Sequence, residues 1–291
     1  MLHEKATKFR DLLKHQSYIT GVGARDALEA KMIERAGFHF VWASGFCISA
    51  SHGLPDASIL SLKHFLDEGR AMNEVIDIPI IFDADTGYGN AINVIYTTRL
   101  LEEAGMAAMC IEDKKFPKDT SLLAGGRGDL IDMREFGNKI KAAKDTQRNK
   151  DFTVIARTEA LIADAGHDEA MKRATYYAEA GADCILIHSK KKSPDEIIRF
   201  VNAWSGDVPL VLVPTAYPEL NERRIEELGK VKVIIYANQV LRAAVKASQE
   251  ILAEIKASKG IEGVDKRVAP LEEIFDLQGV RQMKVNEKNY L

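Results

Sequence analysis

Long apolar runs are absent from this 291-residue chain. No run reaches the about eighteen residues that a helix needs to cross a bilayer, so we do not expect a membrane-spanning protein. Segment 1–5 is charged and no apolar stretch follows it, which argues against a signal peptide. The chain has only three cysteines, Cys47, Cys110 and Cys184, all in or beside apolar runs. Their positions predict buried, reduced thiols and a cytoplasmic protein.

An excess of positive charge is also missing. The chain has 40 Lys and Arg residues against 43 Asp and Glu residues, a net charge of −3. This balance gives no electrostatic reason to expect nucleic acid or an anionic membrane as a partner. A glycine-rich phosphate fingerprint is lacking as well, since Gly21-Val22-Gly23-Ala24 is a poor match. An open, doubly wound sheet is therefore the less favoured fold.

What the chain does contain is a regular alternation of short apolar runs and amphipathic stretches. We predict strands at 18–23, 39–44, 79–83, 108–112, 153–157, 184–188, 209–213 and 232–236. Helical patterns occupy 25–36, 58–75, 90–104, 132–148, 168–180, 194–204, 219–228 and 239–257. Apolar strands that are each followed by a helix predict a parallel sheet covered on its outer face. Eight such units predict a closed (β/α)₈ TIM-type barrel.

The sequence shows no clear domain boundary. Three predicted helices end in Ala-Gly directly before a strand, at Gly37, Gly105 and Gly181, where a left-handed glycine closes a helix. Because no linker interrupts this pattern, we predict one barrel domain over 1–291, with 258–291 as a C-terminal helical extension. The extension is expected to form a short helix at 271–277 and then a polar tail. Packing on a neighbouring subunit and capping of the same barrel both remain open for it.

Two carboxylates follow the third predicted strand. The apolar residues before them end at Asp83 and Asp85, and a glycine-containing turn comes next. Side chains two apart on an extended strand point to the same side. Like charges that close require a proton or a cation between them, and oxygen ligands favour Mg²⁺ or Mn²⁺. With Glu112 at the end of the next strand, the pattern predicts a metal site in an enzyme.

The active site of such a barrel lies at the carboxyl ends of its strands. The other polar or aromatic candidates there are Trp42, Ser44, Gly45, Phe46, Asp56, Arg157, Glu159, His188, Thr215 and Asn238. A purely structural barrel end does not require so many charged side chains, so their number favours a functional site. Each has a structural alternative. Asp56 is a possible helix N-cap, Asp85 a brace for the following turn, Glu112 a partner of Arg157, and His188 a core histidine.

A long segment after the fourth strand has no helical pattern. It runs from Glu112 through Lys118 to the glycines at 125, 126 and 128. Long loops over barrel mouths are usually lids, and Lys118 and Arg127 would bring positive charge onto an anionic substrate. A solvated surface loop is the alternative.

Several of these motifs together resemble the isocitrate lyase / phosphoenolpyruvate mutase superfamily. The resemblance covers about residues 10–280 and rests on Trp42-Ala43-Ser44-Gly45, Asp83-Ala84-Asp85-Thr86-Gly87-Tyr88-Gly89, Glu112-Asp113-Lys114 and Ala156-Arg157-Thr158-Glu159-Ala160. It implies a modified barrel that exchanges its eighth helix between subunits, as a homodimer or homotetramer. It also implies a 2-oxo-acid substrate and a divalent ion, Mg²⁺ or in its place Mn²⁺ or Co²⁺.

The lid separates the branches of this superfamily. Carbon–carbon lyases have a lid cysteine, which this chain lacks, and the mutases have Asn-Ser where this chain has Thr120-Ser121. That substitution resembles the hydrolytic branch, whose members split the carbon–phosphorus bond of 3-phosphonopyruvate through a metal-stabilised pyruvate enolate. Isomerisation to phosphoenolpyruvate, carbon–carbon cleavage or oxaloacetate hydrolysis, and 2-oxo-acid binding without catalysis remain alternatives.

The resemblance also implies a role for each candidate. Asp83 corresponds to the direct metal ligand, and Asp85 and Glu112 to the carboxylates that hold the waters of the metal. Ser44, Gly45 and Phe46 correspond to the residues that hold the substrate carboxylate, and Trp42 is a further substrate-binding candidate. Arg157 corresponds to the arginine that contacts the phosphonyl group, and His188 to a supporting hydrogen-bond donor. Lys118, Thr120 and Ser121 correspond to the closing lid. Asp56 lies close to these groups. Water attack on phosphorus itself and on an aspartyl phosphate at Asp56 both remain open, and both need Asp56 ionised and in line.

Overall fold

The computed structural model describes residues 4–123 and 126–291. Eight parallel strands form a closed barrel in which each strand pairs with its neighbours in sequence and β8 pairs with β1. The strands are β1 (Ile19–Ala24), β2 (Phe40–Ala43), β3 (Ile80–Asp83), β4 (Ala108–Glu112), β5 (Thr153–Thr158), β6 (Cys184–Ile187), β7 (Leu210–Leu212) and β8 (Val231–Tyr236). The predicted (β/α)₈ barrel is confirmed and the open sheet is wrong.

Twelve α-helices accompany the strands within the described residues. They are α1 (Glu4–His15), α2 (Ala27–Arg35), α3 (Gly45–Ser51), α4 (Leu62–Val75), α5 (Ala91–Glu103), α6 (Met133–Thr146), α7 (His167–Glu179), α8 (Asp195–Ala203), α9 (Glu222–Glu227), α10 (Gln239–Ser258), α11 (Leu271–Leu277) and α12 (Val280–Tyr290). Gly37, Gly105 and Gly181 follow α2, α5 and α7 with φ angles of 84°, 75° and 104°, which confirms the predicted helix ends.

Helix α1 was not predicted, and it contributes to the floor of the barrel. Its Phe9 is fully buried and packs edge to face on Phe40 of β2, with the ring centroids 6.1 Å apart. The same apolar cluster contains inward-facing residues of the strands, among them Ile19, Ile81 and Val233. Apolar packing therefore fills the interior of the barrel.

Two more helices were not predicted. Ser44 caps the short α3, because its Oγ accepts a hydrogen bond from the backbone N–H of Cys47 at 3.2 Å. The predicted short helix at 271–277 is confirmed as α11, but it is not the final helix, because residues 280–290 of the polar tail form α12. This helix buries none of its residues.

The chain divides into two compact units, Met1–Asn238 and Gln239–Leu291. The first holds the barrel strands and the second holds α10 to α12. Within the second unit, Arg267 Nη2 lies 2.7 Å from Glu254 Oε2 and ties the segment before α11 to α10. The prediction of one domain with an extension from residue 258 stays a prediction. The predicted features at residues 1–3 and Gly125 lie outside the described residues.

No helix in the described part of the chain combines the length and the apolar character needed to cross a membrane.

Candidate active site

A cavity of about 150 Å³ opens at the carboxyl ends of the strands. It is lined by Trp42, Ser44, Phe46, Asp56, Asp83, Lys118, Thr120, Ser121, Leu122, Arg157, His188, Val213, Thr215, Ala237 and Asn238. Most of the predicted site residues thus share one cavity. Gly45, Asp85 and Glu112 are buried next to it. Leu122, Val213 and Ala237 were not predicted, because apolar residues at strand ends and in loops carry no distinguishing signal.

The carboxylates of Asp83 and Asp85 converge, although not for the predicted reason. Strand β3 ends at Asp83, and Asp85 has a φ angle of 50°, so the two do not share an extended strand. Instead, both point toward Gly45, where a Cβ atom would lie 3.0 Å from Asp83 Oδ2 and 3.2 Å from Asp85 Oδ1. The N–H of Gly45 donates to Asp83 Oδ2 at 3.0 Å. Glycine at this position permits the close approach.

Lys118 lies among the carboxylates. Its Nζ is 2.5 Å from Asp85 Oδ1, 2.9 Å from Asp56 Oδ1 and 4.0 Å from Glu112 Oε1. The ammonium group connects the lid to the barrel. Asp56 is therefore no N-cap, and α4 begins six residues later at Leu62 after Ser61. The carboxylate of Asp85 faces Lys118, so bracing the turn is not its main contact.

Burial governs the protonation of these groups. It raises the pKa of Asp83 and of Glu112, and it raises the pKa of Asp85 to about 8 despite the nearby charge of Lys118. Burial opposes the charge of Lys118, but the carboxylates outweigh it, Asp85 first, and raise the pKa of the lysine well above its usual value. The cluster therefore carries electrostatic strain that a further cation would relieve.

The donor set fits a hydrated hard cation. Asp85 Oδ2 and Glu112 Oε1 are buried and accept no hydrogen bond from any described residue. Within residues 4–123 and 126–291, no three His, Cys, Asp or Glu side chains are grouped closely enough to hold a metal ion by themselves. Mg²⁺ usually keeps several waters and binds through one or two carboxylates, so an open arrangement of oxygens suits it.

Arg157 is held on three sides. Its Nε lies 2.5 Å from Glu159 Oε1 and 3.3 Å from Glu112 Oε2, and its Nη2 donates to Ser121 Oγ at 2.9 Å. Glu112 and Arg157 are register partners on β4 and β5, so the pairing considered from the sequence does form. Burial opposes ionisation of Glu159, but Arg157 leads the positive groups that lower its pKa to about 2. Glu159 is therefore a permanent anion behind the arginine.

His188 is neutral at physiological pH. Burial first, and then the charge of Arg157, lower its pKa to about 3. Its Nδ1 is buried without a hydrogen-bond partner among the described residues, and the side chain lines the cavity. The ring can therefore offer a hydrogen bond to a ligand but no positive charge.

The lid reaches the mouth through residues 118–121. The N–H of Lys118 donates to Ser58 Oγ at 3.2 Å, and Thr120 Oγ1 donates to the backbone carbonyl of Asp56 at 3.0 Å. The prediction that Arg127 adds charge to the site is wrong. Its side chain is 61% exposed, and its contacts are with Asp119 Oδ2 at 4.0 Å and the Pro117 carbonyl at 3.4 Å. These contacts direct the guanidinium away from the cavity.

A family model for phosphoenolpyruvate phosphomutase matches residues 9–256 of the chain. The chain belongs to this family. A phosphonopyruvate hydrolase of Variovorax sp. (strain Pal2) is 49% identical over 287 residues, which cover 99% of each chain. A phosphoenolpyruvate phosphomutase of Tetrahymena pyriformis is 40% identical over 287 residues, 99% of this chain and 95% of the relative. The superfamily resemblance is confirmed.

The fold of this family member matches solved structures over nearly its whole length. A crystal structure of phosphonopyruvate hydrolase in complex with oxalate and Mg²⁺ aligns with a TM-score of 0.93 and 47% identity, over 98% of this chain and 99% of that chain. The hydrolytic branch is thus among the near relatives in both sequence and structure.

Proposed function

We propose that this protein hydrolyses the carbon–phosphorus bond of 3-phosphonopyruvate to give pyruvate and phosphate. The observation that carries this proposal is the position of Thr120, which lines the cavity and whose Oγ1 donates to the backbone carbonyl of Asp56. The 49% identity to the Variovorax phosphonopyruvate hydrolase supports the same substrate.

The reaction exchanges one bond to phosphorus for another. Phosphorus passes to a water oxygen, directly or after transfer to Asp56, while the carbon–phosphorus bond breaks, and the electron pair of that bond goes to C3 and spreads onto the 2-oxo oxygen. The water gives up one proton as its oxygen bonds to phosphorus, and one proton is added to C3, so the elements of one water are divided between phosphate and pyruvate. We assign Asp83 as the direct ligand of Mg²⁺, or of Mn²⁺ or Co²⁺ in its place, with Asp85 and Glu112 holding its waters. When bound, the ion supplies positive charge that stabilises the developing enolate.

The side chains around the cavity divide between the two ends of the substrate. Lys118 and Arg157 offer positive charge to the phosphonyl oxygens, which is the main requirement of phosphoryl transfer. His188 adds a neutral hydrogen bond there, and Ser121 acts through the guanidinium of Arg157. At the other end, Trp42, Ser44, Gly45 and Phe46 are assigned to the substrate carboxylate.

Thr120 directs the reaction toward water. A hydroxyl has one proton and two lone pairs. In the structure its proton is donated to the Asp56 carbonyl, so Thr120 Oγ1 is left as an acceptor on the cavity side. We propose that it accepts a hydrogen bond from the attacking water next to Asp56. A longer asparagine amide would fill this space, and water attack on phosphorus or on an aspartyl phosphate at Asp56 is compatible with the arrangement.

Phosphorus NMR of the protein with phosphonopyruvate and Mg²⁺ tests the proposal. We expect inorganic phosphate and pyruvate as products. Accumulation of phosphoenolpyruvate instead would make the protein a mutase, the second candidate, which the 40% identity to the Tetrahymena enzyme supports. Turnover of oxaloacetate without turnover of phosphonopyruvate would favour a carbon–carbon hydrolase.

We further propose that one barrel domain is extended by a C-terminal helical segment, and that α10, its eighth helix, is exchanged in a homodimer or homotetramer. Apolar side chains of the second unit support an assembly, because Leu252, Leu271 and Phe275 are exposed in the single chain. Light scattering after size exclusion tests this, and a monomer at micromolar concentration would contradict it. Three free, buried cysteines support a cytoplasmic location.

A further inference from the structure

Lys114 is a buried lysine to which the proposed chemistry assigns no role. Only 3% of it is exposed. Its Nζ donates to the backbone carbonyl of Asp119 at 2.6 Å and to Ser121 Oγ at 3.0 Å, and it lies 3.5 Å from Glu159 Oε2. The adjacent Lys115 is exposed. Two successive lysines of the same loop thus have opposite environments.

Ser121 is the point at which the lid meets the barrel. Its Oγ donates to Glu159 Oε2 at 2.6 Å and accepts from Arg157 Nη2 at 2.9 Å and from Lys114 Nζ at 3.0 Å. One donor and two acceptor positions are all that a hydroxyl has, so its hydrogen-bonding capacity is filled. A satisfied, largely buried network of this kind favours one arrangement over others.

The base of the lid is also closed. The backbone of Lys114 forms an antiparallel bridge with Leu130, and the N–H of Lys115 donates to the Asp129 carbonyl at 2.9 Å. The backbone of Lys114 is therefore fixed by strand pairing, and its ammonium group contacts residues 119 and 121. The lysine is anchored on the barrel side and bonded on the lid side.

We propose that Lys114, Ser121 and Glu159 form a lid latch in which Lys114 is the positioning residue for Thr120. This inference rests on the proposed function. The latch fixes the backbone carbonyl of Asp119 before Thr120 and the hydroxyl of Ser121 after it. These two contacts hold the segment so that Thr120 Oγ1 points toward Asp56. The same contacts keep Ser121 on Arg157, which aims the guanidinium at the cavity.

Opening the lid separates Lys114 from two of its hydrogen-bond partners at once. Glu159 would then be the remaining partner of the buried ammonium group, and loss of the two hydrogen bonds is costly, so the latch favours the closed arrangement. Within the latch, Glu159 is the carboxylate that both Lys114 and Arg157 contact, so it links the lid lysine to the arginine of the cavity.

Hydrogen exchange and turnover of Lys114→Met, with Lys115→Met as the matched control, test the latch. In Lys114→Met we expect amide exchange at residues 119–123 to rise by about tenfold, equivalent to roughly 1.4 kcal/mol of lost local stability. We expect kcat/KM to fall by at least a comparable factor, about tenfold. Lys115→Met should stay within about twofold of the unmodified protein in both measurements, as for other exposed charges.

Ser121→Ala provides a second route, since it removes the shared hydroxyl without burying a new group. Because both variants break the same contact, the effects of Lys114→Met and Ser121→Ala should be strongly non-additive in the double variant. Unchanged exchange in both single variants, or additive losses, would overturn the latch. Hydrogen exchange needs no substrate, so absence of phosphonopyruvate turnover by the unmodified protein would contradict the proposed function and leave the latch standing.

Discussion

Glu112 and Asp113 are adjacent carboxylates at the end of β4, and they have opposite surroundings. Both are buried, with 2% and 0% of the residue exposed. Asp113 Oδ1 accepts the N–H of Glu159 at 2.8 Å, and its Oδ2 accepts from Tyr177 at 2.7 Å and from Arg173 Nη1 at 3.0 Å. Glu112 Oε1, by contrast, accepts no hydrogen bond from the described residues.

A raised pKa does not distinguish the two carboxylates, because burial raises the pKa of both. Hydrogen-bond satisfaction does distinguish them. The Asp113 cluster, which consists of Asp113, Arg173 and Tyr177, is complete within the protein and holds the end of β5 in place. The mouth cluster, which consists of Asp56, Asp83, Asp85, Glu112 and Lys118, has free oxygens, as expected where an external ion and substrate complete the bonding. We therefore interpret the Asp113 cluster as structural and the mouth cluster as functional.

Substitution in the mouth cluster should affect activity most. In Asp83→Ala we expect phosphate release to fall by about a thousandfold or more, since several kcal/mol of charge stabilisation are lost. The unfolding free energy of the metal-free protein should change little, because the lost hydrogen bond from the Gly45 N–H is offset by the removal of a buried carboxylate that burial and Asp56 disfavour. Phosphate release and urea unfolding measure the two effects. If Asp83→Ala lost stability but kept its activity, the mouth cluster would be structural and not functional.

The second largest effect should come from substitution in the Asp113 cluster, and it should appear in the free energy of unfolding. Asp113→Asn leaves Arg173 without its buried partner, so we expect the unfolding free energy to fall by about 3 kcal/mol. Tyr177→Phe, a milder change, should cost about 1 kcal/mol. Urea unfolding checks both values. Full stability of Asp113→Asn would show that the cluster has no structural role.

Metal binding should stabilise the protein in a pH-dependent way. The raised pKa of Asp85, about 8, means that the metal-free folded state keeps a proton which the unfolded state has lost. Its stability therefore falls as the pH rises from about 4 to 8. Metal binding displaces that proton, so the stabilisation by Mg²⁺, about 2.7 kcal/mol at a hundredfold excess over Kd, should need less Mg²⁺ at pH 8 than at pH 6.

Thermal unfolding with increasing Mg²⁺ at the two pH values measures this effect, and Asp83→Ala serves as the control without a site. Equal Mg²⁺ dependence at both pH values would contradict the assigned protonation.

The smallest effect concerns the lid alone. In Thr120→Asn we expect hydrolysis to fall by about tenfold, because the water position next to Asp56 is filled. Both clusters should remain intact, so the unfolding free energy should not change. Phosphorus NMR follows the products, and unchanged phosphate release would remove Thr120 from the mechanism.

Local pattern was sufficient for the barrel and for most of the site. Consecutive apolar residues located all eight strands, and the rule that barrel sites lie at strand ends brought Asp83, Glu112 and Arg157 together. Helix α1 was missed because its partner Phe40 lies some thirty residues away in sequence. The positive φ of Asp85 and the outward direction of Arg127 likewise depend on contacts that no spacing encodes.

Lys114 shows the same limit within the site. It belongs to the motif Glu112-Asp113-Lys114, yet nothing in the sequence distinguishes it from Lys115. Only the folded lid places one lysine under residues 119–121 and the other in solvent. Tertiary contacts, and not residue type, determine the different environments of Lys114 and Lys115.

The central claim is that a divalent ion held through Asp83 makes pyruvate a sufficient leaving group from phosphorus. Its most direct test is phosphate release from phosphonopyruvate by chelator-treated protein, before and after Mg²⁺ is restored. We predict negligible release before and full release after. Release at the same rate in the chelated and the restored protein would contradict the account.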